Sequence, residues 1–134
     1  LYTIVDYQYQ KIFKMAKIVA DTLPACPVDY AFQRIGGKYK ARVLWFLKDE
    51  TKRYGQLRRF VVGITPKMLT QVLRELEEDN LVVRTVYYEV PPRVEYCLTP
   101  AGQALIPAIQ LISTWGSVQM QQQGKPMMAE EEEK

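Results

Sequence analysis

Between Thr65 and Leu98 the spacing of the apolar residues changes once, at Asn80, from a helical repeat to the alternation of paired strands. Leu69, Val72, Leu73 and Leu76 recur at i, i+3, i+4 and i+7. Ahead of them, Thr65-Pro66 supplies a capping hydroxyl and a ring that presets the first helical turn. Asn80 suits the left-handed position that ends such a helix. Leu81–Tyr88 is β-branched and aromatic, Arg93–Leu98 alternates, and Glu89-Val90-Pro91-Pro92 forms a stiff connection between the two. Upstream, Leu57, Phe60 and Val61 share one side of a short helical stretch with Arg58 and Arg59 beside them, and Val62-Gly63-Ile64 turns into Thr65. Helix, glycine turn, helix and then hairpin is the pattern of a winged helix-turn-helix, so the expected fold class is mainly α with a small β-hairpin (α+β).

The flanking segments are also helical in period. Val5, Tyr9, Ile12, Phe13, Ala16 and Val19 make a stripe over residues 4–20, with Lys11, Lys14 and Lys17 off it. After the break at Thr22–Pro27, Pro27 opens a short second helix with Cys26 as its N-cap, ending near Gly36-Gly37. Residues 39–48 form a third, mostly buried helix, and Arg53-Tyr54 is at most a short strand. Thr99-Pro100 repeats the cap-then-proline signature and opens a last helix, with Ala101, Leu105, Ala108, Ile109, Ile112 and Trp115 in one stripe and Pro107 expected to bend it or shift its start. The expected organisation is an N-terminal dimerisation helix (1–22), a DNA-binding core (23–99), a C-terminal dimerisation helix (100–123) and a flexible acidic tail (124–134). The outer helices are assigned to homodimerisation because a chain of 134 residues would otherwise leave much apolar surface wet. Folding back onto their own core is the alternative.

Charge narrows the partner. Without residues 125–134 the chain carries 16 basic and 11 acidic side chains, a net charge of +5. Residues 34–74 hold eleven of the basic ones (Arg34, Lys38, Lys40, Arg42, Lys48, Lys52, Arg53, Arg58, Arg59, Lys67 and Arg74) against Asp49 and Glu50 alone. A polyanion is the partner this suggests, against the plainer reading of a solvated charged surface. There is no histidine, and Cys26 and Cys97 are the only cysteines, so Ser-His and Cys-His catalysis, His-based metal sites and thiolate zinc cages are excluded. No glycine-rich phosphate loop, and no carboxylate cluster beyond the tail and the end of the helix after Thr65 (Glu75, Glu77, Glu78 and Asp79), offers an enzyme mechanism. No cofactor, metal or membrane partner is expected. With no apolar run of about 20 residues and no secretory pattern, a soluble cytoplasmic protein is expected.

On the helix after Thr65, the face opposite the leucines carries Lys67, Thr70, Gln71, Arg74 and Glu78. These are side chains that contact phosphates and base edges, on a helix about 22 Å long that suits a major groove. The expected DNA-binding set is Arg58, Arg59, Thr65, Lys67, Thr70, Gln71, Arg74 and, from the wing, Arg93. Arg84 either joins Arg93 on phosphate or pairs with a carboxylate. Tyr30, Phe32, Tyr39 and Trp45 either line an effector pocket or belong to the core. At Cys26 the free N–H groups of a helix start favour a thiolate, while Asp29 competes for them, so a reactive thiol and a small packing cap both fit. Cys97, in a strand, is assigned a structural place.

Cys26-Pro27-Val28-Asp29-Tyr30-Ala31, Ile35-Gly36-Gly37-Lys38, Leu57-Arg58-Arg59, Lys67-Met68-Leu69-Thr70, Leu73-Arg74-Glu75-Leu76-Glu77 and Pro91-Pro92-Arg93-Val94-Glu95-Tyr96 with Leu98-Thr99 occur in that order. Over roughly residues 26–116 the chain resembles the HxlR-type transcriptional regulators, relatives of the MarR group. The resemblance implies a bacterial or archaeal dimeric winged-helix protein that binds double-stranded DNA, often responding to oxidants or electrophiles through the cysteine at the position of Cys26. It departs from the family at Gly55, where a better N-cap is common, and at Tyr39, which replaces a usual tryptophan. The expected function is therefore a sequence-specific regulator acting as a homodimer on an inverted repeat, with an oxidant or small molecule as its signal. A winged-helix protein-interaction module without operator recognition is the alternative.

Overall fold

The computed structural model of the chain describes residues 4–128. It resolves into two compact units, Leu1–Gln33 and Arg34–Lys134, and the part of the acidic tail from residue 129 lies outside the described residues. In the first unit α1 spans Ile4–Thr22; α2 (Pro27–Ile35) begins in that unit, at the proline that the sequence marks, and its last two residues belong to the second. The first turn of α2 is closed by the Tyr30 N–H donating to the Cys26 carbonyl at 2.9 Å. The stripe on α1 is present but uncovered: Tyr9, Ile12, Phe13 and Val19 are all exposed.

The second unit is the winged helix-turn-helix. Its elements are α3 (Lys40–Phe46), β1 (Lys52–Arg53), α4 (Tyr54–Phe60), α5 (Pro66–Glu78), β2 (Val82–Tyr87), β3 (Arg93–Leu98) and α6 (Pro100–Gln122). Val43 and Leu44 of α3, Leu57 of α4, Val61, and Leu69, Leu73 and Leu76 of α5 are almost wholly buried in one core with Leu81, Val82 and Tyr96. Each such aliphatic side chain contributes about 1.5–3 kcal/mol by leaving water. Phe46 and Phe60 stack at 5.5 Å and close the α3–α4 junction.

The hairpin gains a third strand. The sheet order is β1-β3-β2, all antiparallel, with Lys52 opposite Tyr96 and Arg53 opposite Glu95. The short strand thus lies one residue earlier than expected, and Tyr54 begins α4 instead. Gly55 falls inside α4 and not at its cap, where the Arg53 N–H instead donates to Gln56 Oε1 at 2.8 Å. The wing itself pairs Val82 with Leu98 through to Tyr87 with Arg93. Leu81 stays out of the strand because it completes the end of α5. Asn80 takes φ +57°, its N–H bonds the Glu77 carbonyl at 3.0 Å, and the Leu81 N–H bonds the Leu76 carbonyl at 2.9 Å.

Thr99 fixes α6 to that same corner. Its hydroxyl donates to the Asn80 carbonyl (2.7 Å) and accepts from the Gly102 N–H (3.0 Å), while its N–H reaches the Leu81 carbonyl (3.1 Å). A Cβ on Gly102 would collide with the Leu81 carbonyl, so only glycine permits this approach. The helix runs unbroken through Pro107 from a start at Pro100, so the proline does not move the start. Its stripe divides: Ile109 is buried and Leu105 and Ile106 pack on the core, whereas Ala108, Leu111, Ile112 and Trp115 are exposed. Gly124, at φ +68°, ends it.

Candidate nucleic-acid interface

The turn between α4 and α5 is set by two tyrosines. Gly63 takes φ +89°, a conformation that glycine adopts without strain, and its carbonyl accepts from the Tyr39 hydroxyl at 3.1 Å. Tyr39 is therefore a buried anchor of the turn, and the phenol that replaces the expected tryptophan supplies the bond. Trp45 packs against the same core, while Tyr30 and Phe32 are exposed. The Tyr54 hydroxyl donates to the Pro66 carbonyl at 3.0 Å and lies 3.4 Å from the Thr70 hydroxyl, which ties α4 to the start of α5. Thr65 caps α5 as its position predicts, accepting from the Met68 N–H at 3.2 Å. Its hydroxyl is thus engaged in the helix, and its own contribution to a ligand is positional.

With the leucines buried, the opposite face of α5 points outward. Lys67, Gln71 and Arg74 are exposed and Thr70 is half-buried. Arg58 and Arg59 on α4 are exposed too and, with Arg53, Gly55 and Gln56, line a shallow open cleft. Among the described residues Arg58, Arg59, Lys67 and Arg74 make no ion pair. The rest of the basic run is spent differently. Lys40 pairs with Glu75 at 2.9 Å, Lys48 with Asp49 at 3.3 Å and Arg34 with Asp79 at 3.4 Å. Lys52 is buried, 2.8 Å from Glu50 and over the Phe60 ring. The Arg42 guanidinium donates to the Val62 carbonyl at 3.3 Å and so braces the turn. Lys38 stays exposed over the Tyr39 ring, and the rest of the positive charge left for a polyanion in this run is concentrated on α4, its N-cap and α5.

Gln71 has a fixed neighbour that the sequence reading passed over. Its Nε2 donates to Glu75 Oε1 at 2.9 Å, and Lys40 Nζ holds the other carboxylate oxygen. The Gln71 amide first, and Lys40 second, hold the Glu75 carboxyl below its ordinary range. The i, i+4 spacing of Gln71 and Glu75 was legible; the approach of Lys40 from α3 was not.

On the wing, Arg93 stacks on Tyr87 with its guanidinium carbon 4.1 Å from the ring centroid. Its Nε lies 3.4 Å from Glu89 and 3.3 Å from Glu95, charge contacts in which Nε makes no directed hydrogen bond. Arg84 is exposed, and Tyr88 and Val90 at the tip are almost fully so. In the first unit Cys26 is an exposed free thiol. The backbone N–H groups of Asp29 and then Val28 face its sulfur and lower its pKa. The Asp29 amide makes the larger of these two contributions. Cys97 is a half-buried free thiol on β3.

Among the described residues no group of three or more Cys, Asp or Glu is placed to hold a metal ion, and no helix is long and apolar enough to cross a membrane. Residues 34–124 match the HxlR-like helix-turn-helix family. The chain is similar to an HTH-type transcriptional regulator of Methanothermobacter thermautotrophicus, at 48% identity over 69% of this chain and 71% of the relative. Its fold is similar to that of the redox regulator HypR in its oxidised form, with a TM-score of 0.66 and 44% identity over 69% of this chain and 96% of the other. It is also similar to the reduced form of the transcriptional regulator YodB from Bacillus subtilis, with a TM-score of 0.61 and 33% identity over 70% of this chain and 93% of the other.

Proposed function

The chain belongs to the HxlR-like helix-turn-helix family of transcriptional regulators, and from that premise we propose that it is a homodimer that reads an inverted-repeat operator with one α5 in each half-site. The observation that carries this is the outward face of α5, where Lys67, Thr70, Gln71 and Arg74 stand beside Arg58 and Arg59 while most neighbouring cations are paired within the protein. In this reading Arg58, Arg59 and Lys67 hold phosphates, Thr70, Gln71 and Arg74 face base edges, and Thr65 sets the angle at which α5 enters the groove. The wing reaches the flanking phosphates through Arg84 and Arg93, the latter more weakly because Glu89 and Glu95 share its charge. The uncovered stripes of α1 and of the far half of α6 support dimerisation, since a subunit of this size would not leave Phe13, Ile112 and Trp115 in water.

Cys26 serves as the oxidant-responsive thiol in this proposal. Its exposure and the backbone N–H groups that lower its pKa favour the thiolate, and the similarity to the redox regulator HypR supports the role. Selection of a randomised duplex library with reduced and oxidised protein tests the whole reading. Enrichment of an inverted repeat with half-sites about one helical turn apart is expected, with retention altered by oxidation in the wild type and unaltered in Cys26→Ser. Weak retention without enrichment would instead favour the protein-interaction module.

A further inference from the structure

We infer that Gln71 is a base-selecting residue of α5 and that the pair Glu75 and Lys40 positions it to read adenine. The inference rests on the proposed DNA reading and deepens it. Gln71 is exposed on the face that bears Lys67 and Arg74, so its amide can reach a base edge. One hydrogen of Nε2 is held by Glu75 Oε1 at 2.9 Å, and Glu75 is held in turn by Lys40 at 2.9 Å. A reversed amide would set Oε1 against a carboxylate oxygen, so the orientation is fixed by charge. Two groups remain free, the second Nε2 hydrogen and the Oε1 acceptor.

That pair matches the major-groove edge of adenine, which offers N7 as acceptor and the N6 amino group as donor. Guanine presents two acceptors, N7 and O6, and would face Oε1 with O6. An unrestrained glutamine rotates freely to lessen that repulsion, whereas here rotation breaks the bond to Glu75. A carboxylate beside DNA would normally repel it, and the Lys40 ammonium, with its side chain only 14% exposed, offsets that charge from the protein side. Glu75 and Lys40 are positioning residues here, acting through Gln71 without touching the base themselves.

Selection from a randomised duplex library with the 134-residue chain, followed by binding measurements on single-base variants of the enriched site, tests the assignment. The wild type is expected to prefer adenine over guanine at one position of each half-site by about 5- to 150-fold, the range of one bidentate contact. Gln71→Ala flattens that position alone. Glu75→Ala flattens the same position, and so does Glu75→Gln, whose neutral amide has one oxygen for Lys40 and turns its own NH2 toward Gln71, so that the orientation is no longer fixed. In the Gln71→Ala background, Glu75→Ala adds nothing at that position, which a merely structural role for the ion pair does not predict. Thermal unfolding of each variant identifies any loss caused by misfolding. An unchanged base profile for Gln71→Ala, or Glu75→Ala relaxing every position equally, overturns the inference while leaving the regulator reading intact. Failure of the wild type to enrich any site overturns the regulator reading itself.

Discussion

Helix α5 and the far half of α6 carry apolar repeats of similar quality, yet the chain treats them in opposite ways. On α5, Leu69, Leu73 and Leu76 are at most 2% exposed, and the other face is polar and open. On α6, Ile109 is buried, but a turn later Ile112 is 50% and Trp115 68% exposed. A helical period states that a face needs covering and is silent about what covers it. For α5 the cover is α3, α4 and the sheet; the end of α6 has none among the described residues of its own unit. The same comparison separates the two functions proposed for helices in this protein, one reading a ligand with its polar face and the other joining subunits with its apolar one.

The largest expected effect concerns the polar face of α5. If that face and α4 neutralise about 6–10 phosphates in the dimer, DNA affinity falls roughly 10³- to 10⁵-fold between 50 and 200 mM salt, measured by fluorescence anisotropy. A flat salt response would mean that α5 does not differ from α6 in the way proposed. Next, Leu69→Ala is expected to destabilise the fold by about 2–5 kcal/mol in urea unfolding at any protein concentration. Ile112→Asp should instead act through the subunit equilibrium, lowering the sedimentation coefficient and shifting the unfolding midpoint only at concentrations where the wild type is dimeric. Equal, concentration-independent losses for the two variants would erase the distinction.

Gly102→Ala sharpens the comparison within α6 itself. The added methyl meets the Leu81 carbonyl, and overpacking of this kind costs typically about 1–3 kcal/mol, read as a lowered Tm. Gly116→Ala on the distal half of the same helix meets nothing within 4 Å and should leave Tm unchanged or raise it. The smallest loss is expected for Thr65→Ala, which removes the cap on the Met68 N–H and should cost about 1 kcal/mol. Its DNA affinity should fall by a similar margin with no change in base preference, because the hydroxyl faces the helix and not the groove.

Much of this architecture was legible in the chain. The Thr65-Pro66 and Thr99-Pro100 pairs fixed the starts of α5 and α6, Asn80 marked a helix end, and the alternation after it fixed both wing strands. These are local effects, set by caps, ring geometry and the left-handed tolerance of asparagine. The three-stranded sheet was not legible, because two residues of β1 carry too short a pattern to announce partners 42 and 44 positions away. The expected basic cluster was legible only as a total. Which of its cations face solvent depended on Asp79 and Glu75 arriving from other elements.

The sequence by itself determined the kinds of elements, their order, the polar face of α5 and the absence of histidine chemistry. Each follows from neighbours within a few residues or from composition, where propensity and period act directly. Tertiary structure decided the rest. It turned Lys52 inward, set Tyr39 under Gly63, brought Lys40 against Glu75 and thereby fixed the Gln71 amide, and covered one half of the α6 stripe while leaving the other bare. The reason is physical: a side chain's rotamer preferences are local, but its hydrogen-bond partner, its counter-ion and its cover are supplied by whichever element the fold brings alongside.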